Sequence, residues 1–131
     1  MKSNAIYSFL SGNSYLLTLG IIVLTLIMLA LTLMPAETFS HHEIWSYDKI
    51  GHLLLFGTWT LLLGLYHNIS IAGNTNFWVI FLIGTSFGIL IELLQHSLPS
   101  LNRHADIVDV VFDTIGCLLA IWVLKIILPK K

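Results

Sequence analysis

A chain of 131 residues that is 56% hydrophobic and 10% charged, with a mean hydropathy of +0.88, carries far fewer charges than the roughly one quarter typical of a soluble domain. Its formal net charge of −1 gives no basic field for a phosphate backbone, which excludes nucleic acid as a partner. A single cysteine, Cys117, excludes an internal disulfide and any cysteine-based zinc or redox pair, and its setting beside Gly116 reads as a small residue at a helix contact.

In chain order, four segments have the ~20 apolar residues that a helix needs to cross a ~30 Å hydrocarbon layer. The first runs from Tyr15 to Met34. Its uncharged core is longer than the ~7–15 residues of a signal peptide, and Met34-Pro35-Ala36 is a poor cleavage site, so it reads as a retained helix. Pro35 ends it. The link from Ala36 to Asp48, with Phe39, Ile44, Trp45 and Tyr47, reads as a segment lying in the membrane interface. The second span runs from Lys49 to Tyr66, a polar turn covers Asn68 to Asn76, the third span runs from Phe77 to His96, and Leu98-Pro99-Ser100 breaks the chain before the fourth, Asp106 to Leu128. Short links force neighbouring spans to run in opposite directions, so the expected fold is an all-α membrane protein, an antiparallel four-helix transmembrane bundle forming one domain over residues 1–131. Lys2, Lys125, Lys130 and Lys131 flank the two ends of the chain, which places both termini in the cytoplasm of a multi-pass plasma-membrane protein. Gly84 and Gly88, and Gly116 and Ala120, stand four apart and mark close helix contacts.

An ionisable residue inside a span costs ~2.5–3.5 kcal/mol and needs a partner or a purpose. Asp48, Lys49 and His52 open the second span, Glu92, Gln95 and His96 close the third on one expected helix face, Arg103 and His104 follow in the loop, and Asp106, Asp109 and Asp113 open the fourth as a single stripe. Alternating helix direction brings these three ends to the same membrane face, where they would build an extracytoplasmic polar pit. Five acids, Asp48, Glu92, Asp106, Asp109 and Asp113, face two bases, Lys49 and Arg103. That excess requires protonation, a charged histidine or a bound cation. The plainer readings are that Asp48, Asp106 and Asp109 cap helices, that Lys49 snorkels to the head groups, and that Arg103 forms a structural salt bridge with Glu92 or Asp113.

Read in order, Asp48-Lys49-Ile50-Gly51-His52, Glu92-Leu93-Leu94-Gln95, and Arg103 with Asp106, Asp109 and Gly116 resemble the VanZ-like family of small bacterial membrane proteins, named after an accessory factor in glycopeptide (teicoplanin) resistance. The resemblance covers roughly Asp48 to Ala120 and leaves the first span generic; where the family usually has asparagine, this chain has Asp113. It implies a protein of the bacterial envelope tied to glycopeptide susceptibility or to lipid-linked wall precursors, and it supplies no reaction.

The residues themselves suggest a pit that binds a membrane lipid or lipid-linked head group through Asp48, Lys49, His52, Glu92, Gln95, His96, Arg103, Asp106, Asp109 and Asp113. The alternative is an enzyme acting on such a head group by acid/base or metal-assisted chemistry, with Glu92, His52 and Asp109 as the catalytic candidates. Without HExxH or a comparable motif, no metal or other cofactor is expected from sequence. Ion transport fits less well, because polar residues stop about halfway along the spans. The oligomeric state is not legible.

Overall fold

The computed structural model describes residues 5–35, 38 and 44–128, with side chains at 44–47 excepted. Five helices account for most of it: α1, Ala5–Gly12; α2, Ser14–Thr32; α3, Ile44–Ser70; α4, Phe77–Ser97; and α5, Ile107–Ile127. Among the described residues, α2, α4, α5 and the Asp48–Ser70 part of α3 are long and apolar enough to cross a membrane. The result is an all-α, four-helix transmembrane bundle. Apolar side chains that a soluble protein would bury cover its outside, among them Leu19, Ile22 and Leu26 on α2, Leu82, Leu90 and Leu93 on α4, and Leu118, Trp122 and Ile126 on α5. Such a surface is solvated by lipid.

Two differences from the expected boundaries have local causes. Helix α3 begins at Ile44 and ends at Ser70, longer at both ends than the expected span Lys49 to Tyr66, because helical backbone hydrogen bonding does not stop at the ends of that span. Most of the Ala36 to Asp48 link, read as an interfacial segment, lies outside the described residues. The short α1 was not anticipated; it is a two-turn helix carrying exposed Ile6 and Phe9 before the first span.

The turn after α3 closes with paired backbone bonds, Gly73 N–H to Asn68 C=O at 2.8 Å and Ala72 N–H to Ile69 C=O at 3.4 Å. That pattern requires a left-handed residue at the helix exit, supplied here by Ala72 at φ 51°. Asn76 then caps α4, accepting from the Trp78 and Val79 amides. At the other end, a 3-10 turn at Pro99–Leu101 leads through left-handed Asn102, φ 49°, into the start of α5.

The core forms two apolar layers. Leu17, Leu65, Ile80, Ile121, Leu124 and Leu128 fill the half nearest the α3–α4 turn. Met28, Phe56, Trp59, Ile91 and Cys117 form the middle layer, where Trp59 Nε1 donates to Thr25 Oγ1 at 2.9 Å and ties α2 to α3. Helices α3 and α5 make the closest backbone approach: a Cβ on Gly57 would sit 3.2 Å from the Gly116 carbonyl oxygen, and one on Gly116 would collide with the Leu53 carbonyl oxygen. On α4, Gly84 leaves room for Thr60 and Cys117, and Gly88 leaves room for Asp113, whose Oδ2 would lie 2.7 Å from an added Cβ. The paired small residues seen in the sequence thus let two helices press directly on the helix that carries the acidic stripe. Cys117 is fully buried and within 3.2 Å of Thr60 Oγ1, a packing contact.

Candidate functional site

Above the middle layer, the end of α2, the start of α3, the end of α4, the loop from Asn102 to Ala105 and the start of α5 line a cavity of about 470 Å³. One wall is polar, with Asp48, Lys49, His52, Arg103, His104, Asp106 and Asp109; the other is apolar, with Met28, Leu31, Leu55, Phe56 and Ile91. The polar side chains form a connected network. Lys49 Nζ lies 3.1 Å from Asp106 Oδ2 and 3.2 Å from Asp109 Oδ1, joining α3 to the first turn of α5. One turn further along α3, His52 Nδ1 lies 2.9 Å from Asp113 Oδ1. An ionised carboxylate only accepts hydrogen bonds, so with Asp113 ionised Nδ1 carries the hydrogen. The opposite ring nitrogen, Nε2, points to Asp48 Oδ1 at 4.0 Å and Asp109 Oδ2 at 3.9 Å. The ring also stacks on Phe56, with centroids 6.1 Å apart and planes 6° from parallel, which limits its rotation.

Helix geometry explains this convergence. Asp106, Asp109 and Asp113 repeat at three and four residues on α5, so they form one stripe descending into the bundle. At 1.5 Å per residue, Asp113 lies ~10 Å below Asp106. It is wholly buried, with Oδ2 lacking a hydrogen-bond partner among the described residues. On α3, Asp48 and His52 are four apart and face that stripe.

Asp106 caps α5: its Oδ1 accepts from the Val108 amide at 2.8 Å. That amide, and next the Lys49 ammonium, hold its carboxyl below the ordinary aspartate range. The capping reading of Asp106 is therefore correct, and the same side chain also anchors Lys49.

Glu92 and His96 depart from the expected arrangement. Glu92 is buried, but behind the cavity wall: its Oε2 accepts from the Asp106 backbone N–H at 2.9 Å, so it fastens the end of α4 to the start of α5, while Oε1 has no partner among the described residues. His96 is exposed and off the cavity wall, which corrects its placement on one face with Glu92 and Gln95. The buried stripe of α4 passes through Ile80, Gly84, Gly88, Ile91, Glu92 and Gln95. At 3.6 residues per turn, His96 falls roughly 100° from the middle of that stripe. Gln95 is buried and lines the cavity. Sequence reasoning left His104 out of the binding set and did not single out Asn102, and both line the cavity; the positive φ of Asn102 has no sequence signal beyond asparagine's tolerance of it.

One donor atom each from Asp48, His52 and Asp109 lies within 4.8 Å of the other two, a grouping compatible with a metal ion. The sequence contains its i, i+4 half, Asp48 and His52, but the third donor comes from a helix 57 positions further on and no linear motif announces it.

A four-span membrane bundle with a charged recess at one end is thus the class of protein defined by fold and site. The chain belongs to the VanZ/LLP1 family, whose model matches residues 9–128. The match takes in α2, which the motif resemblance had left as a generic span. No curated protein and no solved structure shows a significant match to the chain.

Proposed function

We propose that this VanZ/LLP1-family protein is a membrane-embedded enzyme that acts on the polar head group of an amphiphile, with His52 at the centre of its chemistry. The observation that carries this reading is the double engagement of His52. Asp113 meets the ring from behind at Nδ1, and Nε2 faces Asp48 and Asp109 beside the cavity. A carboxylate that fixes tautomer and orientation is how an imidazole is prepared to take a proton or a cation. Lys49 and Arg103 supply positive charge for an anionic group, and Gln95 supplies neutral hydrogen bonds. The apolar wall of Met28, Leu31, Leu55 and Ile91 suits the chain of the same amphiphile, so a lipid or lipid-linked wall precursor fits both halves. Lysines at the two ends of the chain favour cytoplasmic termini and hence a recess on the extracytoplasmic face.

The test is incubation of the purified protein in proteoliposomes of total membrane lipid, followed by mass spectrometry of the extracted amphiphiles. The expected result is a head group whose mass changes with the wild type and not with His52→Ala. A second reading, a head-group binding module, draws on Lys49 and Arg103 lining the wall. It would replace the enzyme if an amphiphile co-purified stoichiometrically and emerged chemically unaltered. The connection to glycopeptides implied by the family resemblance adds a cellular readout: expression of the wild type shifts teicoplanin susceptibility, and His52→Ala does not.

A further inference from the structure

The recess gathers more negative charge than its own bases offset. Asp48, Asp106 and Asp109 line it against Lys49 and Arg103, and two further carboxyl groups, Glu92 and Asp113, stand buried behind it. Each of these two has one buried oxygen, Glu92 Oε1 and Asp113 Oδ2, without a hydrogen-bond partner among the described residues. A buried carboxylate with an unsatisfied oxygen is costly unless positive charge lies nearby. At that point in the fold, His52 Nε2 faces two carboxylate oxygens at 3.9–4.0 Å, too far for hydrogen bonds.

From this geometry we infer that Asp48, His52 and Asp109 form a binding site for a single divalent transition-metal ion, of the Zn²⁺ or Mn²⁺ class. The inference rests on reading the recess as the centre of chemistry and identifies what His52 Nε2 holds there. His52 Nε2 lies 4.0 Å and 3.9 Å from the two carboxylate oxygens, and all three donors lie within 4.8 Å of one another, so an equidistant ion can sit about 2.5 Å from each, a few tenths of an ångström beyond the ~2.0–2.2 Å of bound zinc. A small inward movement of two helix-borne side chains closes that difference. An imidazole with two carboxylates suits such ions better than Mg²⁺ or Ca²⁺, which prefer all-oxygen sets. Asp113 completes the arrangement as the carboxylate that receives the other ring N–H of a metal-bound histidine. Three protein donors leave coordination positions open toward the cavity, where the phosphate or another oxygen of a head group would reach the ion.

The test is metal binding by the full-length, untagged protein in nanodiscs, stripped with chelator and titrated with Zn²⁺ or Mn²⁺ alone, with bound metal counted by elemental analysis. The expected stoichiometry is one ion per chain. His52→Ala and Asp109→Asn each weaken it at least a hundredfold, Asp113→Asn weakens it ten- to a hundredfold, and exposed His96→Ala leaves it unchanged. Co²⁺ loaded into the wild type and Asp109→Asn reports ligation independently of folding yield, because its visible spectrum changes with the donor set. The inference is overturned if no ion is retained, or if His52→Ala and Asp109→Asn bind as the wild type does. Head-group conversion by metal-stripped protein would sink the metal site and leave the enzyme reading standing; one bound ion without any conversion would do the reverse.

Discussion

The two ends of the bundle handle buried polarity in opposite ways. At the α3–α4 turn the polar groups are mostly neutral and satisfied: Tyr7 donates to Asn68 Oδ1 at 2.7 Å, Asn68 Nδ2 donates to Thr75 Oγ1 at 2.8 Å, and Lys125 rests over the Phe77 ring at 5.5 Å. His67 Nδ1 is the buried exception there, with no partner among the described residues. At the other end, carboxylates cluster within a few ångströms, and two buried ones, Glu92 and Asp113, keep an oxygen without a partner among the described residues. A satisfied neutral network fastens helices at small cost, whereas unsatisfied buried charge destabilises a bundle unless a ligand completes it. The first end fastens the helices, and the second carries the unsatisfied charge on which the proposed function rests.

Substitutions can break that contrast. The largest effect is expected from His52→Ala, which should lower head-group conversion per folded molecule by 10²–10⁴-fold, the usual worth of a positioned acid/base or ligand group. Gly116→Ala is the converse case. Its Cβ collides with the Leu53 carbonyl oxygen, so it should force α3 and α5 apart and cost ~1–3 kcal/mol, read as a lower unfolding midpoint in detergent. Asn68→Ala, at the opposite end, removes a two-bond neutral link; it should cost ~1–2 kcal/mol and leave conversion per folded molecule unchanged. The smallest effect concerns Asp106. Its carboxyl is held below its unfolded value of ~3.9 by the Val108 amide and Lys49. The stability it adds is therefore fully present above that unfolded value and lost as pH falls through the lower folded one. Because the side chain is half-exposed, the loss is small; acid melts of wild type and Asp106→Asn should differ most above the unfolded value and draw together as pH falls through the folded one.

The fold was legible because a membrane leaves few choices: apolar runs of the right length, short links and a helix's internal hydrogen bonding dictate an up-and-down bundle. The ends were less so. Helix α3 outruns its apolar segment because backbone bonding does not stop where hydropathy does, and α1 is too short and too rich in serine for its apolar residues to stand out. Within the recess, spacing at three and four residues revealed which side chains share a helix face, and helix direction revealed which faces meet. That was enough to bring Asp48, Lys49, His52, Asp106, Asp109 and Asp113 together. It failed for His96, where a spacing of four carried the residue past the edge of the buried stripe. The position of Glu92 was likewise hidden, since its partner is a backbone amide that no sequence pattern marks.

The anchoring of His52 by Asp113 underlies both the proposed chemistry and the inferred metal site. The most direct measurement is the ring ¹H–¹⁵N spectrum of histidine-labelled protein in nanodiscs, compared with Asp113→Asn. A His52 Nδ1–H proton displaced far downfield, and moved upfield by Asp113→Asn, is the predicted result. A bare Nδ1, or ring signals indifferent to residue 113, would contradict the account.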